Sequence, residues 1–256
     1  MQKWIVRITF WLAAVIAAPI GAMAGEARVA VASSFASPAR DLGTAFTAET
    51  GHEVIFSFGS TGQLYAQISQ GAPFDLYMAA DQARPARAVQ AQFASADSQI
   101  TYALGHLVLY SADRDTSAGA GLLSQDTFRR LAIANASTAP YGAAAVEVLK
   151  KLGVYEQIKP KIVQGSNIAQ TFQFVQTGNA ELGFVARSQL AAGSSTRFWL
   201  VPAHLHTPLR HDAVLLRHGD SEVARAFWTF LQGETGRAII TRHGFDVPTV
   251  EQKTAG

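Results

Sequence analysis

Residues 52–71 read HEVIFSFGSTGQLYAQISQG, and the change of pattern halfway along decides the fold. Residues 54–58 are Val-Ile-Phe-Ser-Phe, a β-branched and aromatic run that predicts a buried strand. Residues 64–70 place Leu64 and Ile68 four apart, on one face of a helix. Between them stand Gly59, Ser60, Thr61 and Gly62. A strand that feeds a helix through four small residues is half of a β-α-β unit. The small residues also suggest that something approaches the backbone closely there.

The same grammar extends in both directions. Residues 29–32 form a short apolar strand, followed by Ser33 and Ser34. Residues 38–49 put Leu42, Ala45 and Phe46 on one helical face, and Gly51 closes that helix. Beyond the second helix, Gly71-Ala72-Pro73 breaks the chain and residues 74–80 make a strand. This β-α-β-α-β series predicts a mostly parallel sheet flanked by helices. A second series follows. Strands are expected at 102–110, 131–134, 161–163 and 181–186, with helices at 143–152 and 169–176. A strand at 213–216 and helices at 222–232 and 235–243 end the chain. Two α/β units with no long linker predict two lobes with a cleft between them. Ligands of open α/β sheets sit beyond the carboxyl ends of the strands.

Composition narrows the function classes. The 256 residues are 48% hydrophobic and 16% charged, an ordinary globular balance. Residues 1–24 differ from the rest. A basic start holding Lys3 and Arg7 precedes an apolar run at 8–20, and Ala22-Met23-Ala24 gives a small-residue cleavage pattern. This is a secretory signal peptide; the run is short for a membrane-spanning helix. The chain has 21 Lys+Arg against 19 Asp+Glu. Removing Lys3 and Arg7 leaves 19 of each, a mature net charge of zero. No basic cluster interleaved with aromatics appears, so nucleic acid is not an expected partner. With no cysteine, thiolate metal sites and cysteine nucleophiles are excluded, and the core must suffice without disulfides.

Four junctions share one design: a strand ends, small or hydroxyl residues follow, and a helix starts. They are Ser33-Ser34, Gly59-Ser60-Thr61-Gly62, Ala139-Pro140-Tyr141-Gly142 and Gly165-Ser166-Asn167-Ile168. Helix starts carry unpaired N–H groups and partial positive charge. Hydroxyls add donors. Any one junction can be read as simple capping, since Ser, Thr and Asn cap helices everywhere. Four in matching places of two units point to a shared anion. None of the four stretches contains Lys or Arg. Each hydrogen bond to a charged group contributes about 1.5–3 kcal/mol, so neutral donors can hold a dianion. A small tetrahedral oxyanion suits this design. A nucleotide would want the lysine of G-x-x-x-x-G-K-[ST], which residues 59–64 lack.

At this point the chain resembles the periplasmic molybdate-binding proteins of ABC transporters. The segments VAVASSF (29–35), SFGSTGQLYAQISQGAPFDLYMAAD (57–81), APYGAAAVEVLKKLG (139–153) and AELGFVA (180–186) carry the resemblance, which covers nearly everything after residue 28. It implies a two-lobed type II periplasmic-binding fold that closes over molybdate or tungstate, with no cofactor and no catalysis. It implies ligand contacts from Ser33, Ser34 and Thr61, and from the backbone at Tyr141 and Ile168. It also implies a monomeric periplasmic receptor serving an inner-membrane ABC permease. Lobe I is expected at 25–104 plus 207–256 and lobe II at 105–206. The lobes should meet near residues 102–105 and 206–212. One departure is Ala186, where many members of that family carry a ligand-contacting tyrosine. The Tyr141 hydroxyl is the candidate replacement.

Other readings rest on fewer residues. A receptor of the same fold for sulfate or phosphate would differ only in cavity radius. A secreted serine hydrolase would need a G-x-S-x-G elbow, and residues 59–62 fall one residue short. His204, His206 and His211 lie close in sequence but read as solvated loop residues rather than metal ligands. Asp75 and Asp81 read as groups that position neighbouring segments. Trp199, Phe227 and Trp228 read as packing.

Overall fold

The computed structural model describes residues 24–125, 127–190, 198–219 and 221–248. The expected leader at 1–24 lies, but for Ala24, outside the described residues. Among the described residues, no helix is long and apolar enough to cross a membrane.

The first sheet is built from β1 (Glu26–Ala32), β2 (Glu53–Gly59), β3 (Leu76–Met78), β4 (Ile100–Gly105) and β10 (Leu209–Leu215), in the order β2-β1-β3-β10-β4. The second holds β5 (Leu107–Tyr110), β6 (Leu131–Ala134), β7 (Ile162–Gly165), β8 (Leu182–Ala186) and β9 (Phe198–Leu200), in the order β7-β6-β8-β5-β9. The plans are the same. In the first sheet only β10 is antiparallel to its neighbours. In the second only β5 is reversed. Each reversed strand is the one the chain makes just after it crosses from one sheet to the other. The result is two mostly parallel sheets, one in each of two lobes.

Period-2 alternation explains how helices cover both faces. In β1, Val29 and Val31 pack with Leu42 and Phe46 of α1 (Ala36–Thr50), Phe227 of α8 (Glu222–Gln232) and Ile240 of α9 (Glu234–Arg242). Ala30, pointing the other way, packs with Leu64 and Ile68 of α2 (Thr61–Ser69) and Ala88 of α3 (Ala83–Gln90). Burying each Leu, Ile or Phe contributes roughly 1.5–3 kcal/mol. The second sheet repeats this. Leu131 and Ile133 meet Val148 and Leu149 of α5 (Pro140–Lys151). Ala132 meets Val175 of α7 (Ile168–Gln176). Gly51 ends α1 in the left-handed conformation at φ 73°, as glycine does most readily.

Two expectations need correction. The apolar run 102–110 is not one strand. It is β4 and β5, in different sheets, with His106 as the crossing residue. Only Gly105 and His106 interrupt the apolar residues of the two strands, so the break is hard to see in the sequence. The second correction concerns His206 and His211, neither of which is solvated: His206 is buried beside the crossing back to the first sheet, and His211 is not in a loop at all. It lies on β10 and is fully buried. The sequence pattern also gave no sign of β9 or of the short helices α4 (Ala120–Gln125) and α6 (Tyr155–Ile158).

Candidate anion-binding site

The four junctions converge. One small cavity is lined by Ala32, Ser33, Ser34, Thr61, Tyr141 and Ile168, together with Gly59, Ser60, Ala80, Ala139 and Pro140. All five residues singled out from the sequence therefore face one space, and both lobes contribute to its wall. Among the described residues, no charged side chain lines it. A larger hollow bounded by Arg28, Asp75 and His218 involves one lobe alone.

Each junction leaves donors open for a local reason. Ser33 and Ser34 start a 3-10 turn that runs into α1. Both are buried, and the Ser34 hydroxyl has no hydrogen-bond partner. Such an orphan costs about 1–3 kcal/mol, so a ligand oxygen is the natural complement to it. Phe35, next in sequence, locks this turn by edge-to-face packing on Tyr102, with ring centroids 4.9 Å apart.

At the second junction the labour is divided. Ser60 caps α2, its hydroxyl accepting from Gln63 N–H at 3.4 Å. This is the work of a cap rather than of a nucleophile. Thr61 is held at both ends. Its carbonyl accepts from the Tyr77 hydroxyl at 2.7 Å, and its own hydroxyl accepts from Ala80 N–H at 3.1 Å. The hydroxyl proton of Thr61 is thus left to donate. Burial pushes the Tyr77 phenol well above its ordinary pKa, so it stays a donor to Thr61.

Helices α5 and α7 supply backbone N–H groups. Pro140 at the first position of α5 has no N–H, and Ala139 offers no side-chain cap, so the first open amide is that of Tyr141. Asn167 caps α7 by accepting from Ala169 and Gln170 N–H at 2.9 and 3.0 Å. That satisfies the second and third amides of the helix and leaves the first, Ile168. Aligned helix starts add partial positive charge at the same place.

The Tyr141 hydroxyl has a partner on the other lobe. It lies 3.3 Å from His211 Nε2, and His211 Nδ1 lies 3.4 Å from the Tyr102 hydroxyl. Burial pushes the Tyr141 phenol far above its ordinary pKa; the Ser34 hydroxyl is near enough to oppose this slightly, but not in hydrogen-bonding geometry. Burial lowers His211 to about 3, so the imidazole is neutral.

The lobes touch around the cavity. Gly62 N–H donates to the Thr138 carbonyl at 2.8 Å. The Ser188 hydroxyl donates to the Ser34 carbonyl at 2.7 Å. Ser188 follows Ala186 by two residues, so at this corner a serine bonds across the cleft to the backbone of a cavity residue. The two glycines of residues 59–62 serve packing. A Cβ on Gly62 would come 3.0 Å from Thr138 Cα, and one on Gly59 would come 3.2 Å from the Leu64 side chain. The close approach foreseen at Gly62 is that of the other lobe.

A helix-flanked two-lobe fold with a donor-lined cavity between the lobes has known relatives. The family described as bacterial extracellular solute-binding protein matches residues 27–246. The chain belongs to this solute-binding family. It is 44% identical over 235 residues to the molybdate-binding protein ModA of Rhodobacter capsulatus, spanning 91% of this chain and 93% of that protein. It is 47% identical over 232 residues to ModA of Azotobacter vinelandii, spanning 88% and 91%. Among solved structures, the periplasmic molybdate-binding protein of Azotobacter vinelandii superposes with a TM-score of 0.82 at 33% identity, covering 87% of this chain and all of that one. The resemblance noted in the sequence is thus to the same class of solute-binding protein that these comparisons find.

Three residues of this solute-binding protein's cleft escaped the sequence reading: Arg84, Ser188 and His211. Each acts across the lobes on a residue far away in the chain. Only His211 left a trace, as one of three histidines within eight residues.

Proposed function

We propose that this protein is a periplasmic receptor that captures molybdate with neutral hydrogen-bond donors and delivers it to an inner-membrane ABC transporter. One observation carries the reading. Four element starts from two lobes meet at a single cavity that holds a buried, unpartnered serine hydroxyl and, among the described residues, no charged side chain. The names of the relatives at 44% and 47% identity support the choice of molybdate.

Binding, not chemistry, is the function. Ser33, Ser34 and Thr61 donate through hydroxyls, and Tyr141 and Ile168 through N–H groups. The lobes, taken as 25–104 plus 207–256 and as 105–206, close over the anion and remove it from water. Each charge-assisted bond contributes about 1.5–3 kcal/mol. Tungstate, with the same charge and tetrahedral shape, should bind as well. Sulfate is set apart by size. Hydrogen phosphate is set apart because its proton needs an acceptor, and among the described residues no carboxylate lines the cavity. We take the receptor to act as a monomer after removal of residues 1–24.

Calorimetry of the mature protein with molybdate, tungstate, sulfate and phosphate tests this. Tight binding of the first two and weak binding of the others is expected. Tight sulfate or phosphate binding without molybdate binding would replace the ligand and keep the fold.

A further inference from the structure

Arg84 is a cation packed against Gly62, next in sequence to the cavity residue Thr61, yet it does not line the cavity. It sits in the first turn of α3, directly after the first-lobe strand β3 and its loop. Asp81 holds it twice: one carboxylate oxygen pairs with Nη1, and the other accepts from the Arg84 N–H at 2.9 Å. The pair is mostly buried, with side chains 23% and 20% exposed. A second guanidinium nitrogen, Nη2, donates to the Ser137 carbonyl of the other lobe at 3.0 Å. Beside it, Gly62 N–H donates to the Thr138 carbonyl at 2.8 Å. A Cβ on Gly62 would lie 3.1 Å from Arg84 Nη2. Guanidinium, Gly62 and two consecutive carbonyls thus form one tight contact, adjacent to Thr61 on one side and to Ala139-Pro140-Tyr141 on the other.

We infer that Arg84 is the latch of the cleft: it holds the closed lobes together through the Ser137 carbonyl and so controls how fast the bound anion escapes. Asp81 cancels its charge and fixes its direction, so it contributes position rather than attraction for the anion. Both bonds to residues 137 and 138 join one lobe to the other. Both must break when the lobes part. A bond present only in the closed state slows opening, and its loss appears in the dissociation rate. Association, which begins from the open cleft, is left nearly unchanged. This inference rests on the oxyanion-receptor reading and adds the residue that governs release.

The test compares wild type, Arg84→Ala and Arg84→Lys by stopped-flow binding of molybdate and by amide hydrogen exchange at Gly62, with thermal melts as a folding control. Arg84→Ala should raise the dissociation rate roughly tenfold, the scale of one charge-assisted bond. Its association rate should stay within about threefold. Gly62 should exchange faster than in wild type, with and without molybdate. Arg84→Lys keeps a donor and should recover part of the loss. A variant that is less heat-stable but releases molybdate at the wild-type rate would show a merely structural ion pair and overturn the latch. If wild type fails to bind molybdate, the oxyanion reading falls instead. The ligand-free exchange of Gly62 then decides alone, and equal rates in wild type and Arg84→Ala overturn the latch.

Discussion

The Tyr141 hydroxyl, carried by α5 of one lobe, lies 3.3 Å from Nε2 of His211, carried by β10 of the other. The pair bears on the question raised by Ala186. The phenol that could have replaced a missing tyrosine donor is bound to an imidazole instead. The role proposed for Tyr141 is contact through its backbone. Tyr141→Phe should therefore keep molybdate affinity within about threefold while lowering stability by about 1–3 kcal/mol, the cost of an unpaired buried imidazole nitrogen. Calorimetry and denaturant melts separate the two effects. A loss of affinity beyond tenfold would put the phenol in the site.

His211 also sets a pH dependence. Burial lowers its pKa from 6.5 to about 3. Between those values the unfolded chain binds a proton that the folded chain does not. Stability is thus fully present above pH 6.5 and declines as the pH falls toward 3. The upper bound of this contribution is roughly 5 kcal/mol. His211→Asn, which keeps a polar partner for the two tyrosines, should flatten the stability profile in that window. Parallel profiles for the variant and wild type would show that His211 does not contribute.

Thr61 is fixed by Tyr77 and Ala80 so that its hydroxyl proton is free to donate. Thr61→Ala should weaken molybdate binding by about 1–3 kcal/mol, and Thr61→Ser should restore most of it. Unchanged affinity in the alanine variant removes Thr61 from the site.

Ser34 allows a sign test. Its hydroxyl is buried without a partner, a cost the ligand-free protein bears. Ser34→Ala should leave ligand-free stability unchanged or raise it by up to about 1 kcal/mol, yet weaken molybdate binding by about 1–3 kcal/mol. Thermal melts with and without molybdate read both quantities. A variant that loses stability and binds normally would contradict the assignment.

Much of this was legible because the local signals were consistent. Strand β2, the small residues 59–62 and helix α2 announce themselves by period and composition, and so do their counterparts around β6, α5 and α7. The four strand-to-helix junctions could be read from local pattern, and the family resemblance then singled out five residues within them. The hidden features are of two kinds. The chain crossing at His106 sits between two apolar stretches, 102–104 and 107–110, that read together as one strand. The contacts of Gly62 with Thr138, Ser34 with Ser188 and Tyr141 with His211 join residues 70 or more positions apart. No local pattern encodes them; they exist only once two lobes are folded and closed.

Gly62 brings these levels together. It is the second residue of α2, where alanine would favour the helix by up to about 1 kcal/mol. Local propensity therefore predicts that Gly62→Ala is harmless or stabilising. The closed cleft predicts otherwise, because the added Cβ would stand 3.0 Å from Thr138 Cα and 3.1 Å from the Arg84 guanidinium. Backbone cannot yield there as a flexible side chain could. The contact would have to give by a few tenths of an ångström, and because it joins the two lobes the strain should fall on the closed state. The variant should melt at or above the wild-type temperature without ligand, bind molybdate at least tenfold more weakly, and gain less stability from it. Gly59→Ala is the control. Its new Cβ meets only the Leu64 side chain at 3.2 Å, within the first lobe, so its cost should fall on folding. If Gly62→Ala binds molybdate as wild type does, closure does not bring residues 62 and 138 together, and the donors of the two lobes act without the tight contact described above.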